Sequence, residues 1–148
     1  MAHRYDRDAV VEAYIPGHAG WRGALAGIVS RTIELMASRF AIAPSDLRVS
    51  IGPSAGPCCY EVDDAVLEPL RRSRQDWSSL VRDNRAGKAR LDLKALVRRQ
   101  TSEIGIPPDQ ITVVNVCTIC HPALFFSYRR EGRVNGTMLN GITLLARR

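Results

Sequence analysis

The chain has 148 residues, 45% of them apolar and 24% charged, with a net charge of +6. That is enough chain for one packed domain spanning 1–148, too little for two of ordinary size, and too apolar for global disorder. No apolar run reaches the ~20 residues of a membrane-spanning helix, and the opening Met-Ala-His-Arg-Tyr-Asp-Arg-Asp is charged where a secretory leader is apolar. The expectation is therefore a cytoplasmic protein with no membrane partner.

A β-branched apolar run over 10–15 reads as a strand, closed by Pro16-Gly17. Gly17-His18-Ala19-Gly20-Trp21-Arg22-Gly23 follows as a glycine-punctuated turn. Leu25, Ile28, Val29, Ile33, Met36 and Phe40 then recur at helical spacing and predict an amphipathic helix over 23–39. A second strand is expected over 47–51, and two glycines and two prolines forbid its continuation through 52–57. Asp63-Asp64 suits a helix start near Ala65, running to Arg71-Arg72. Residues 73–88 read as an exposed polar loop with a short helix around Trp77 and Leu80. Asp92 is a candidate N-cap for a helix carrying Leu93, Leu96, Val97 and Ile104, stopped by Gly105 and Pro107-Pro108. Strands are expected over 111–116, 124–128 and 138–145, with a turn at Glu131-Gly132-Arg133. The order β-α-β-α-α-β-β-β is a mixed α/β chain and not a regular doubly wound one.

Four clusters could carry chemistry. At 17–23, backbone N–H groups opening a helix suit an anion, and Arg22 adds a charged fork. The glycine spacing is neither a dinucleotide fingerprint nor a phosphate-binding P-loop. His18 is either an ordinary loop histidine or a functional one. At 52–61, Gly-Pro-Ser-Ala-Gly-Pro-Cys-Cys-Tyr-Glu is a rigid turn holding Cys58 and Cys59. Either cysteine could be a nucleophile, although no neighbouring histidine supports one. At 117–121, Cys-Thr-Ile-Cys-His matches the haem-attachment pattern. Its setting after a strong strand and without an export signal argues for no haem. A zinc ribbon would need a second Cys-x-x-Cys, which the vicinal pair 58–59 is not; a cluster drawn from distant loops, or an unintended thiolate metal site made of Cys58, Cys59, Cys117 and Cys120, stays open. At 125–130, Phe-Phe-Ser-Tyr-Arg-Arg is either an ordinary strand or an aromatic segment that stacks a ring and clamps phosphate. The chain has nineteen arginines and two lysines. This is compositional bias or affinity for anions. The basic residues are not interleaved with aromatics, which disfavours nucleic acid as a partner.

Taken in order, His18-Ala-Gly-Trp-Arg-Gly23, Ile51-Gly-Pro-Ser-Ala-Gly-Pro-Cys-Cys-Tyr-Glu-Val62, Leu91-Asp-Leu93, Cys117-Thr-Ile-Cys120 and Phe125-Phe-Ser-Tyr-Arg-Arg130 closely resemble the laccase-domain family. That family is also called multicopper polyphenol oxidase-like, and its members are viewed as purine nucleoside phosphorylases with adenosine deaminase activity. The resemblance covers Ala13 to Leu145 and matches the C-terminal part of a typical member. It implies an α/β sandwich with a mixed sheet. It also implies zinc held by two histidines and a cysteine from separate motifs, of which His18 is the second histidine, both metal ligand and catalytic residue. The Gln-Val-His-Gly-like and Ala-Asp-Cys-like motifs that carry the other two ligands do not occur in this sequence. Nor does the family's usual Gly-Arg before the last strand, where this chain reads Arg133-Val-Asn-Gly-Thr137.

On residue chemistry, Arg22, Arg129 or Arg130 would hold phosphate and Tyr128 would stack on the base. The expected partners are a purine nucleoside and phosphate, with a homo-oligomer or a missing N-terminal half completing the site. The alternative is a non-catalytic or vestigial domain acting as a binding or structural module. Copper oxidase chemistry has no support, because none of the three histidines forms a His-x-His pair.

Overall fold

The computed structural model describes residues 20–139. The strand expected over 10–15, His18 with its neighbours Gly17 and Ala19, and all but the first two residues of the strand expected over 138–145 lie outside the described residues.

The helix expected over 23–39 is two helices, α1 (Trp21–Leu25) and α2 (Ile28–Phe40). Gly27 divides them with φ +72°, a left-handed conformation that costs an L-residue with a Cβ about 1–2 kcal/mol. The apolar spacing crosses this break unchanged, which is why periodicity alone reads one helix. A 3-10 turn at Pro44–Asp46 leads into β1 (Val49–Ile51), shorter than the expected strand. β1 pairs in parallel with β5 (Ile111–Val113), Ile51 opposite Val113.

The long crossover between these two strands holds most of the molecule. β2 (Glu61–Asp63) runs directly into α3 (Asp64–Ser73), whose N-cap Asp63 accepts from the Ala65 N–H at 3.1 Å. After a 3-10 turn at Trp77–Leu80 come β3 (Val81–Arg85), β4 (Lys88–Leu91) and α4 (Leu93–Glu103). The Asp92 carboxylate caps α4 through the Ala95 N–H at 3.0 Å. The three strands form an antiparallel sheet in the order β2-β4-β3. The expected loop over 73–88 is corrected accordingly. Its second half is the outer strand of a hairpin, hard to read because four of the five β3 residues are exposed.

α4 packs on β1 and β5, α3 packs on β2 and β4, and α1 touches α2, α3 and α4, so helices bridge the two sheets. Leu67, Leu70, Leu80, Leu91, Leu96 and Ile106 are fully buried there. Each such side chain contributes about 1.5–3 kcal/mol relative to exposure. Gln100 on α4 donates to the Ala24 carbonyl at 2.8 Å and ties α4 to α1.

The strand expected over 124–128 is also corrected. Residues 122–127 form no strand, and α5 (Tyr128–Glu131) is a single helical turn capped by Ser127, whose hydroxyl accepts from the Arg130 N–H at 3.4 Å. The backbone groups there go to local turns and to an arginine instead of a ladder, described below.

Candidate functional site

Because β1 and β5 run parallel, the loops leaving their carboxyl ends emerge at one edge, the place where open α/β sheets collect ligands. The Val114 N–H donates to the Ile51 carbonyl at 2.9 Å and the Thr118 N–H to the Ser54 carbonyl at 3.0 Å. These bonds lay residues 114–121 alongside residues 52–60, with Ser54 bridging Cys117 in parallel.

The consequence is the meeting of four cysteines far apart in sequence. The sulfurs of Cys58, Cys59, Cys117 and Cys120 all lie within 4.8 Å of one another. Cys120 Sγ is 3.5 Å from Cys58 Sγ and 3.3 Å from Cys59 Sγ. All four are free thiols; Cys117 is buried, Cys59 half-buried, Cys58 and Cys120 exposed. Gly56 supports the cluster by its lack of a side chain. Its N–H donates to Cys117 Sγ at 3.2 Å, and a Cβ there would sit 3.2 Å from the Cys117 Cβ and 3.4 Å from Cys58 Sγ. The Gly56 carbonyl accepts from both the Cys59 and Tyr60 N–H groups at 2.9 Å.

Burial pushes the Cys117 thiol up, but the amides of Gly56, Cys120 and Ile119 and the Cys58 thiol outweigh it and bring Cys117 down to about 6. Cys58 moves the other way, raised by its bond to Cys120 and then by burial. One sulfur of the four is therefore set up as a thiolate while its neighbours hold protons. His121, the histidine of the Cys-x-x-Cys-His run, has its Nδ1 2.9 Å from the Cys117 carbonyl.

The Phe125–Arg130 segment locks onto these loops. Arg130 donates to the Thr118 carbonyl at 2.7 Å and the Phe125 carbonyl at 2.8 Å, and pairs with Glu131 at 2.6 Å. Its guanidinium thus holds the chain together. Arg129 donates to the Glu61 carbonyl at 3.0 Å and lies 4.9 Å over the Tyr60 ring. Tyr128 is 68% exposed beside it. A shallow cavity of about 200 Å³ opens next to Arg129 between Glu61, Asp63 and Lys88. A wider groove of about 540 Å³ runs from Cys58 and Cys117 past Arg82, Arg90 and Lys94. Arg22 stands on α1 with its guanidinium 4.7 Å over the Trp21 ring.

The structure thus brings Tyr128, Arg129 and Arg130 to one edge with the cysteines and places Arg22 on the helical layer. Sequence reasoning left a site made of all four cysteines as an open alternative, which the structure brings together, and it overlooked Lys94. That side chain is buried, and its ammonium donates to the Val114 and Val116 carbonyls at 3.3 and 2.9 Å, bracing the loop that carries Cys117. The available signal was a lysine directly beside Leu93 in an otherwise buried stripe.

A parallel strand pair and an antiparallel sheet bridged by helices define a mixed α/β fold whose polar loops share one edge. The family model described as multi-copper polyphenol oxidoreductase laccase matches residues 5–145, and the chain belongs to that family. It is 46% identical over 123 residues to a Geobacillus stearothermophilus protein named purine nucleoside phosphorylase YlmD, covering 82% of this chain and 45% of that protein. It is 34% identical over 126 residues to a protein named adenosine deaminase RL5 from an unknown prokaryotic organism, covering 84% of this chain and 48% of that protein. Among solved structures it is similar to YlmD from Geobacillus stearothermophilus, with TM-score 0.71 and 46% identity over 78% of this chain and 43% of that one. It is likewise similar to a hypothetical protein YfiH of Bacillus licheniformis, with TM-score 0.73 and 39% identity over 78% of this chain and 43% of that one. The chain spans about half the length of these relatives.

Proposed function

We propose that this chain supplies the C-terminal part of a purine nucleoside phosphorylase-type enzyme, acting on adenosine, inosine or methylthioadenosine in the cytoplasm, with adenosine deamination as a second activity. The observation that carries this reading is the 46% identity with a protein named purine nucleoside phosphorylase across 82% of the chain. The relative named adenosine deaminase supports the second activity.

In phosphorolysis a phosphate oxygen attacks the ribose C1′, the C–N bond breaks, and the base leaves with the bonding pair and takes a proton. The protein must position an anion against a sugar that becomes cationic, and must hold the base. In this reading Tyr128 stacks on the purine, as its exposure allows. Arg129 uses its free donors on phosphate while its bond to Glu61 keeps it in place. Arg22 is a second phosphate ligand. Arg130, whose guanidinium faces carbonyls and Glu131, acts here as a positioning residue for the loop that carries Tyr128.

Zinc is the family-implied cofactor, with His18 as metal ligand and catalytic residue. His18 is the single matching ligand in the sequence and lies outside the described residues. One imidazole leaves zinc largely hydrated, so the residues present do not complete a two-histidine, one-cysteine site, and no step is drawn through that ion. The remaining ligands would come from a missing N-terminal half or a partner protomer. The second reading is a non-catalytic or vestigial module with a binding or structural role.

The test is phosphate-dependent release of adenine or hypoxanthine, compared between this chain and a version extended upstream through motifs carrying the other histidine and the cysteine. Activity in the extended version alone, lost in His18→Ala, is the expected result. No activity in either overturns the enzyme reading in favour of the module. Equal activity in both shows that the 148 residues, or a second copy of them, complete the site.

A further inference from the structure

The four-cysteine cluster is a set of soft ligands outside every role assigned above. We propose that Cys58, Cys59, Cys117 and Cys120 form a tetrahedral site for a single zinc ion, a clip that fastens residues 52–60 to residues 114–121.

The first support is metric. Four sulfurs ~2.3 Å from one zinc ion stand ~3.8 Å apart along the edges of a tetrahedron. Here Cys120 Sγ stands 3.5 and 3.3 Å from the Cys58 and Cys59 sulfurs, and every separation is within 4.8 Å. An iron–sulfur cluster would spread its cysteines around several inorganic atoms, so this spacing selects one ion. The second support is the absence of pairing. Cys120 Sγ is almost equally distant from Cys58 and Cys59, as a shared ligand set requires and a disulfide does not.

The third support is the backbone around Cys117. Amides of Gly56, Ile119 and Cys120 face its sulfur, and the last two belong to its own Cys-x-x-Cys turn. Such N–H groups stabilise a ligating thiolate and fix its direction. The fourth is charge. A zinc tetrathiolate carries a net charge of about −2, by the charges of its parts. The adjoining groove presents Arg82, Arg90 and Lys94 against Asp83 and Asp92, a positive surplus. Cys58 and Cys120 are exposed, which leaves the ion a way in.

Each sulfur binds as thiolate, so loading releases the remaining thiol protons to solvent. Four protein ligands leave no open coordination position, so the ion holds loops and does not activate water. The site is therefore separate from the zinc that His18 would serve, and it stands whether or not the chain is an enzyme.

The test uses the 148-residue chain and its His18→Ala variant, purified anaerobically from zinc-supplemented cells. The expected result is one zinc per chain in both, and X-ray absorption at the zinc edge showing an all-sulfur shell at ~2.3 Å. Cobalt(II) substitution should give intense thiolate-to-metal charge transfer and tetrahedral d–d bands. Cys120→Ser should weaken zinc affinity by more than ~100-fold, the upper range for losing merely an outer-shell partner. Should that variant fail to fold, the absorption shell and cobalt spectra of His18→Ala decide alone. Zinc far below one per chain, nitrogen in the His18→Ala shell, iron in place of zinc, or an intact mass lacking thiol hydrogens through disulfide formation would each overturn the proposal.

Discussion

The antiparallel sheet with α3 and α4, and the loop edge made of residues 52–60 and 114–131, are built by different physics. The first is a set of interlocked leucines, with Leu67, Leu70 and Leu96 completely buried. The second buries few large apolar side chains; Leu124, Phe126 and Tyr128 are 71%, 47% and 68% exposed. It is held by directed contacts: sulfur to sulfur, Lys94 and Arg130 to carbonyls, Arg129 to Glu61 and Tyr60. Apolar burial is non-directional and tolerates change in a loop's path, whereas these contacts each specify one backbone position. A scaffold can be made the first way. An edge that gathers four thiols from separate loops is made the second way.

The largest expected effect breaks the scaffold. Leu96→Ala removes a fully buried side chain between α4 and the rest of the core and should cost about 2–5 kcal/mol in urea unfolding. That is a large share of the ~5–15 kcal/mol typical of a domain. A cost below about 1 kcal/mol would mean the core collapses into the vacancy, and that the contrast with the loop edge is overstated.

The next effect is on the loop edge alone. Arg130→Ala removes the donors to the Thr118 and Phe125 carbonyls and the partner of Glu131. It should cost about 1–3 kcal/mol, the usual range when a charged hydrogen-bond partner is lost. Amide exchange should quicken across residues 117–127 while α4 amides change less, because local opening need not unfold the core. Equal acceleration in both places would show that the two regions open as one unit.

How much of this was legible follows the same division. Helix ends were, because caps are local chemistry: Asp63 and Asp92 each accept from the N–H two or three residues on. So was the helical stripe of α4. The break at Gly27 was not, since the apolar spacing runs through it and only the backbone angle reveals it. Neither strand of the β3–β4 hairpin was read from the sequence. Lys88-Ala-Arg-Leu alternates exposed and buried, but Val81-Arg-Asp-Asn-Arg has one apolar residue and a register shift between Arg82 and Arg85. The loop edge was hardest. Cys58 and Cys120 are 62 residues apart and meet through the parallel pairing of β1 with β5, a topological fact that no local window contains. The aromatic content of Phe125-Phe-Ser-Tyr suggested a strand, and the pull of Arg130 on the Phe125 carbonyl was invisible without the fold.

The smallest effect sharpens the contrast from the scaffold side, where one polar network sits on the rim. Asp76 accepts from Arg74 at 3.0 Å and from Arg99, and Arg74 also pairs with Glu103. The network joins the end of α3 to α4 across the 3-10 turn. The bond from Arg74 holds the Asp76 carboxyl below its ordinary value of 3.8; burial pushes the other way, and the bond from Arg99 adds to the lowering. A carboxyl with a lower pKa folded than unfolded binds fewer protons in the native state. Its stabilisation is complete above the unfolded value and fades as pH falls through the folded one. Asp76→Asn should therefore lower stability slightly at neutral pH and leave the variant and wild type converging in acid, below about pH 4. The carboxylate is solvent-facing, so high salt should shrink the neutral-pH difference. A difference that persists unchanged into acid and in high salt would assign the role of Asp76 to its geometry before the 3-10 turn, and would leave the scaffold with no electrostatic contribution at this rim.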